Sequence, residues 1–221
     1  MKVILFGATG MVGQGVLREC LFDAEVEAVL TVGRRATGQA HPKLREIVRP
    51  DVSDLAPVVD QVRGYDACFY CLGVSSVGMR ELQYTQLTYD LTTKVAQFLA
   101  TVDPGMTFVY VSGAGTDSTE HGRSMWARVK GRTENALLRL PFRAAYMFRP
   151  GIIRPLHGIR SNARSYRIAY ALLLPFVLLV SAVAPNSLTT TEKVGRAMIH
   201  AGARGAPHPL LSTRDINELA R

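Results

Sequence analysis

The feature of this 221-residue chain that most constrains its fold is a run of three glycines between a strand and a helix. Lys2–Phe6 is a short apolar run typical of a strand buried on both faces, and residues 12–21 repeat apolar side chains at the spacing of one helical face. Between them, Gly7 permits a sharp turn, Gly10 lets backbone N–H groups approach a ligand, and Gly13 lets the helix pack closely on the sheet. The arrangement predicts that a dinucleotide binds with its diphosphate at the positive end of the helix.

Strands alternate with helices along the rest of the chain. Further strands are predicted at 28–32, 44–48, 67–72, 107–111 and 144–148, and helices at 55–62, 81–100 and 124–140. This alternation predicts an α/β fold, a Rossmann-type doubly wound parallel sheet with a small C-terminal helical extension. We interpret residues 1–221 as a single NAD(P)-binding domain, with an apolar helical insertion on the substrate side at 151–187. Ser/Thr-x-x-acid caps that begin at Thr189 and Ser212 predict two further helices.

The end of the second strand indicates which dinucleotide is bound. An NAD-binding site usually places a carboxylate there, about 20 residues beyond the glycines, on the ribose 2′-hydroxyl. This chain has Arg34 and Arg35 instead. A guanidinium pairs with a 2′-phosphate through charge-assisted hydrogen bonds, so NADP(H) is predicted in preference to NAD(H). The alternative is that the two arginines only begin a solvated loop.

Basic residues are concentrated in the second half of the chain. The formal net charge is +8, and eleven of the lysines and arginines lie between residues 122 and 167, where Glu134 is the only acid. This segment predicts an anionic partner, either an acidic or phosphorylated small-molecule substrate or a lipid headgroup. Nucleic acid is a weak candidate because the segment lacks interleaved aromatic side chains and helix-turn-helix spacing. The oligomeric state is not predicted.

Residues 168–184 are almost wholly apolar, and no charged residue follows them until Glu192. A transmembrane helix needs about 20 apolar residues, and Pro175 interrupts this run. A buried helix pair that covers the pocket is the first interpretation of the segment. Peripheral membrane contact by a helix lying on the lipid surface is the second, and a full span is the third.

The three cysteines are an odd number without a disulfide framework, which favours a reducing compartment. Cys68 and Cys71 spell a CxxC motif, but residues three apart along a strand lie on opposite faces, so neither a metal site nor a disulfide is predicted. The apolar run before Gly7 is too short for a secretory signal. We therefore predict a cytoplasmic protein, with membrane association as the alternative.

Four motifs together resemble the atypical or extended short-chain dehydrogenase/reductases, in particular the NAD(P)-dependent epimerase-like group that includes the Tat-interacting-protein-like reductases. The motifs are Gly7-Ala-Thr-Gly-Met-Val-Gly13, the Val-Ser-Gly sequence at Ser112, the xxxLys motif at Lys130, and Phe148-Arg-Pro-Gly-Ile152. The similarity runs over nearly all the chain, including residues 211–217. It implies a reductase or epimerase-like activity on a small carbonyl or hydroxyl compound.

The resemblance also assigns roles to individual residues. It implies that Ser112 binds a substrate carbonyl or hydroxyl and that Lys130 holds the nicotinamide ribose. Pro150, Gly151 and Ile152 present backbone to the carboxamide. The other implied cofactor contacts are Gly7, Thr9, Gly10, Met11, Val12 and Gly13 at the diphosphate, Arg34 and Arg35 at the 2′-phosphate, Asp51 and Val52 at the adenine, and Leu72 and Gly73 beside its ribose.

One position departs from the family pattern Tyr-x-x-x-Lys, because this chain reads Trp126-Ala-Arg-Val-Lys130. In the family the tyrosine exchanges the proton, and the lysine lowers the pKa of that tyrosine. An indole N–H donates a hydrogen bond but has no proton to exchange, although Trp126 and Lys130 share a helical face. His121, in the polar loop before this helix, is the predicted substitute proton donor. Two functions stay open: an NADP(H)-dependent oxidoreductase or epimerase-like enzyme, and a non-catalytic NADP(H)-binding sensor or regulator.

Overall fold

The computed structural model describes residues 1–159 and 188–221. Its strands are β1 (Lys2–Phe6), β2 (Ala28–Gly33), β3 (Leu44–Val48), β4 (Ala67–Tyr70), β5 (Thr107–Val111), β6 (Ala144–Arg149), β7 (Ile152–Arg154), β8 (Leu188–Thr190) and β9 (Leu210–Ser212). Its helices are α1 (Met11–Phe22), α2 (Val59–Val62), α3 (Glu81–Thr85), α4 (Leu91–Val102), α5 (Met125–Leu138), α6 (Thr191–Arg204) and α7 (Thr213–Leu219). A π-helical turn, Gln86–Asp90, joins α3 to α4.

Seven strands form one parallel sheet in the order β3-β2-β1-β4-β5-β6-β9. The chain begins at the centre of the sheet, winds outward to β3, returns to β4 and then winds outward to the other edge. The predicted doubly wound Rossmann class is therefore confirmed. Such a sheet has a crevice at the carboxyl ends of the strands where the winding reverses, which here lies between β1 and β4.

The sheet is buried on both faces because its strands alternate apolar side chains to either side. Val3 and Leu5 of β1 pack on one face in a cluster with α1 and α6. Ile4 and Phe6 pack on the other face in a cluster that includes Val95 of α4 and residues of α5. This double burial explains why the β1 sequence is a continuous apolar run.

Helices α1 and α6 cross at two glycines. A Cβ atom on Gly15 would lie 2.5 Å from the Cβ of Thr191, and one on Gly195 would lie 2.7 Å from the Cγ of Glu19. The close approach fixes the start of α6 against α1.

Some predicted boundaries differ from the structure. The cap of α6 is Thr190, whose hydroxyl accepts the Lys193 N–H at 3.0 Å, one residue later than the predicted Thr189. Ser212 caps α7 through a reciprocal box with Asp215, as its sequence predicts. All three cysteines are free thiols.

No helix among residues 1–159 and 188–221 is long and apolar enough to cross a membrane. The predicted apolar segment 168–184 lies outside the described residues.

Candidate functional site

The turn between β1 and α1 has the geometry that its glycines predict. Gly7 has a φ of +82°, and a Cβ there would lie 2.7 Å from the carbonyl carbon of Cys71. The Gly10 N–H donates to the Gly7 carbonyl at 2.9 Å and closes the turn. Gly10 is also the N-cap of α1, so no side chain at the cap covers the first N–H groups of the helix. The turn therefore offers backbone donors at a positive helix end, which suits a phosphate.

A cavity of about 780 Å³ opens at this turn, along the carboxyl ends of β1, β2 and β4. Ten of the predicted cofactor residues line it: Gly7, Thr9, Gly10, Met11, Arg34, Arg35, Asp51, Val52, Leu72 and Gly73. Its volume lies within the range of small-molecule and cofactor sites. Sequence motifs from four separate segments thus meet at one cavity.

One wall of the cavity comes from a segment in which no cofactor contact was predicted. Leu87 lies in the π-helical turn and Leu91 begins α4, and both line the cavity. Their spacing of four on a predicted helix is a signal that could have placed them on one face. A π-helical turn of this kind often marks a functional site.

The other predicted cofactor residues do not line the cavity. Val12 packs on the core within α1, and Gly13 packs on the turn itself, where a Cβ would lie 2.0 Å from the Gly7 carbonyl oxygen. Pro150 follows β6, and its carbonyl accepts the Ala114 N–H at 2.9 Å. The Gly151 N–H donates to the Thr213 hydroxyl at 2.8 Å, and Ile152 begins β7.

Two acidic residues form hydrogen bonds at the end of the cavity that Arg34 and Arg35 line. Glu46 of β3 accepts hydrogen bonds from the Thr31 hydroxyl at 3.1 Å and from the Thr37 N–H at 2.9 Å, which holds the loop carrying Arg34 and Arg35. The Asp51 carboxylate accepts from the hydroxyl and the N–H of Ser53. These hydrogen bonds hold the pKa of Asp51 below its usual value. Both arginines are exposed, so their guanidinium groups are accessible to an anion.

The hydroxyl of Ser112 lies in a buried polar network that sequence reasoning missed. It donates to Glu134 at 2.5 Å and lies 3.1 Å from the Phe148 carbonyl. Glu134 is fully buried and pairs with Arg149, whose Nε lies 3.1 Å from Oε1. Arg149 also donates to the Ser118 hydroxyl at 2.5 Å. The network holds the loop after β5 and uses the Ser112 hydroxyl, which differs from the predicted contact with substrate.

The side chain of Lys130 contacts the backbone of the same serine. The Lys130 ammonium donates to the Ser112 carbonyl and lies 5.9 Å from the centre of the Tyr110 ring. Burial lowers the pKa of Lys130 to about 8, against a smaller opposing effect of Glu134. A buried ammonium with few neighbouring anions loses hydration, which favours its neutral form.

Trp126 lies one helical turn before Lys130 and covers the loop after β5. Hypothetical Cβ atoms at Gly113 and Gly115 would lie 4.0 Å and 3.5 Å from its ring. His121 is exposed in this loop, and no hydrogen bond or ion pair joins its side chain to Ser112, Trp126 or Lys130 within the described residues. The structure thus brings Ser112, Trp126 and Lys130 together at the end of β5, and the role of His121 as proton donor stays a prediction.

A second cluster of ionisable groups lies where α1 meets α6. Ligand atoms of Glu19, His157 and Glu192 all lie within 4.8 Å of one another. Arg196 lies 3.3 Å from Glu19 and 2.8 Å from Glu192, and Arg18 lies 2.5 Å from Glu19. The guanidinium groups already balance the two carboxylates, so the cluster is an ion-pair network. Nε2 of His157 lies 2.8 Å from Oε2 of Glu192, and His157 does not line the cavity.

Together, the parallel sheet and the glycine turn at its winding reversal define an NAD-binding Rossmann protein. The NAD dependent epimerase/dehydratase family matches residues 3–124, and the chain belongs to that family. The resemblance seen in the sequence is thereby confirmed.

The chain is similar to fungal proteins and to solved structures that hold NAD. "Protein fmp52, mitochondrial" of Emericella nidulans is 28% identical over 212 residues, which are 92% of this chain and 88% of the relative. "Protein FMP52, mitochondrial" of Chaetomium globosum is 26% identical over 157 residues, 68% of this chain and 65% of the relative. The structure of UDP-glucuronic acid 4-epimerase from Bacillus cereus in complex with NAD has a TM-score of 0.67 at 12% identity, covering 96% of this chain and 77% of that one. The structure of MoeE5 in complex with UDP-glucose and NAD has a TM-score of 0.67 at 17% identity, covering 100% of this chain and 81% of that one.

At 12% and 17% identity, the solved structures show the fold of this chain alone. The fungal relatives are named mitochondrial proteins, which contradicts the prediction of a cytoplasmic location. An odd number of free thiols is therefore an unreliable guide to the compartment, because more than one compartment keeps thiols reduced.

Proposed function

We propose that this protein binds NADP(H) and uses it as an oxidoreductase or epimerase-like enzyme on a small carbonyl or hydroxyl compound. The observation that supports this is the single cavity on which the glycine turn, the two arginines and residues 71–75 converge. The residues present suit the dinucleotide, since Gly10 leaves the turn open to a diphosphate and Arg34 and Arg35 offer guanidinium groups at the adenosine end. When bound, NADPH supplies a hydride for the reduction of a carbonyl group.

Binding can be measured directly because Trp126 is the only tryptophan of the chain. Its emission overlaps the absorption of the reduced nicotinamide ring, so bound NADPH will quench Trp126 and emit by energy transfer. We expect saturable quenching with a Kd in about the micromolar range, as for typical enzyme ligands. Absence of quenching, together with absence of heat in calorimetry, would contradict the proposal.

The two arginines are predicted to select the phosphorylated cofactor. Arg34→Glu and Arg35→Glu each replace a charge-assisted hydrogen bond, worth about 1.5–3 kcal/mol, with repulsion. NADPH affinity is expected to fall by roughly 10- to 100-fold in at least one variant, while NADH affinity is nearly unchanged. Arg63→Glu makes the same charge change at an exposed site outside the cavity and is the matched control. Equal losses for NADPH and NADH would show that the arginines do not read the 2′-phosphate.

A specific observation favours a second candidate, the non-catalytic sensor. Trp126 stands where the family has its tyrosine, and the Ser112 hydroxyl is bonded to Glu134. A protein without a proton donor at this site would bind NADP(H) without turnover. Tight binding with no oxidation of NADPH by any carbonyl compound would support that candidate.

A further inference from the structure

We propose that Lys130 is the acid–base residue of this site: its ammonium gives the proton to the carbonyl oxygen of the substrate, and its amine takes the proton back in the reverse reaction. The inference rests on the proposed oxidoreductase function. It assigns to Lys130 the step that a tyrosine performs in the family.

The position of Lys130 is set by the backbone around it. Its ammonium donates to the Ser112 carbonyl at the carboxyl end of β5. Strand β5 neighbours β4, and the residues that follow β4 line the cavity. Lys130 therefore lies at the same edge of the sheet as the cavity, one strand away. An ammonium has three N–H groups, so the bond to Ser112 leaves two for other acceptors.

The titratable groups around Lys130 leave it as the group best suited to proton exchange near neutral pH. From β5, Tyr110 is buried, and burial raises its pKa far above its usual value. From α3, Tyr84 lies close enough to Tyr110 to act on its ionisation, and burial raises the Tyr84 pKa as well. From α5, Glu134 pairs with Arg149 of β6 and is fully buried. A lysine whose pKa is about 8 is, by contrast, protonated at neutral pH and can still lose its proton.

The tryptophan leaves the proton transfer to another residue. Trp126 covers the loop after β5 on the helical face that it shares with Lys130, and its indole N–H donates hydrogen bonds but is too weak an acid to give up its proton near neutral pH. In the reduction, bound NADPH would supply a hydride from a C–H bond of its dihydronicotinamide ring. The substrate carbon would gain that hydrogen as the carbonyl π bond breaks, and Lys130 would break an N–H bond as the new O–H bond forms. The products are an alcohol, NADP⁺ and a neutral amine that regains a proton from water.

The first test needs no turnover. The protein is acetylated with trace acetic anhydride over a pH series, and the modification of each lysine is read by mass spectrometry. Lys130 is expected to become reactive with a midpoint near pH 8, whereas an ordinary lysine titrates near 10.4. Exposed Lys193 serves as the internal standard. A Lys130 midpoint equal to that of the standard would overturn the assignment.

The second test follows NADPH oxidation with para-nitrobenzaldehyde as the carbonyl probe. Lys130→Arg keeps the positive charge, but a guanidinium does not release its proton, so NADPH should still bind while turnover falls by about 10²- to 10⁴-fold. The wild-type rate is expected to fall as pH rises through about 8, since the protonated form is the donor. Lys193→Arg should leave rate and pH profile unchanged. In Trp126→Tyr/Lys130→Arg, the new phenol should restore activity, which would show that the site is otherwise intact.

The outcomes separate this inference from the proposed function. Full activity in Lys130→Arg overturns the lysine assignment and leaves the oxidoreductase standing. NADPH binding without oxidation in the wild type, together with activity in Trp126→Tyr, also overturns the assignment and favours the sensor. Absence of NADPH binding in the wild type rejects the proposed function itself.

Discussion

Gly13→Ala is expected to destabilise the fold and abolish cofactor binding together. The new Cβ would lie 2.0 Å from the Gly7 carbonyl oxygen and 2.6 Å from its carbon. Gly7 cannot move away, because it already has a φ of +82° and lies against the backbone of Cys71. Overpacking of this kind costs about 3 kcal/mol, or roughly 10 °C in Tm for a chain of this size. Thermal unfolding and NADPH calorimetry measure the two effects.

Alanine substitutions at two other glycines test protein stability and cofactor binding separately. A Cβ on Gly10 would have only the Gly7 oxygen at 3.3 Å as a close neighbour, so Gly10→Ala should fold normally but obstruct a diphosphate. Gly105→Ala would place its Cβ 3.6 Å from Asp103, an ordinary contact away from the cavity, and should change neither property. If Gly13→Ala kept its wild-type Tm and Gly10→Ala its wild-type affinity, the turn would not be the rigid phosphate site that we describe.

The sequence allowed most of the sheet to be predicted because its central strands, β1, β4 and β5, are buried on both faces. Continuous apolar runs such as β1 stand out against the polar loops, and the predicted strands correspond to the first six strands of the structure. The three-residue strands β7, β8 and β9 carry too little pattern for such a prediction. Their pairing depends on contacts with distant strands, as in the register of β9 on β6.

The residues that line the cavity could be predicted from the sequence, whereas the contacts of the Ser112 hydroxyl could not. Glycine turns and strand-end arginines act through the backbone or through exposed charge, so their position along the chain determines their role. The direction of the Ser112 side chain depends instead on Glu134 and Arg149, which come from two other elements. The sequence did contain one signal for this network. Glu134 is the only acidic residue between residues 122 and 167, a segment that has eleven basic residues. An isolated carboxylate in such a segment is a candidate for a buried partner.

Glu134→Ala is expected to lower the free energy of unfolding by about 3 kcal/mol. Breaking a buried ion pair leaves its partner uncompensated, and here Arg149 and the Ser112 hydroxyl both lose the carboxylate that accepts from them. Partial exposure of Arg149 keeps the loss at the lower end of the usual range. Because Glu134 raises the pKa of Lys130, its removal should also move the onset of Lys130 acetylation to lower pH.

Glu218→Ala is the matched control, since it deletes the same side chain from the exposed Arg214 pair at 2.9 Å and should change the stability little. Chemical denaturation reports the stabilities, and acetylation mass spectrometry reports the lysine. Equal stability losses in the two variants would mean that the buried pair contributes no more than a surface pair. An unchanged acetylation midpoint would mean that Glu134 does not act on Lys130, and the two would have to be treated as independent parts of the site.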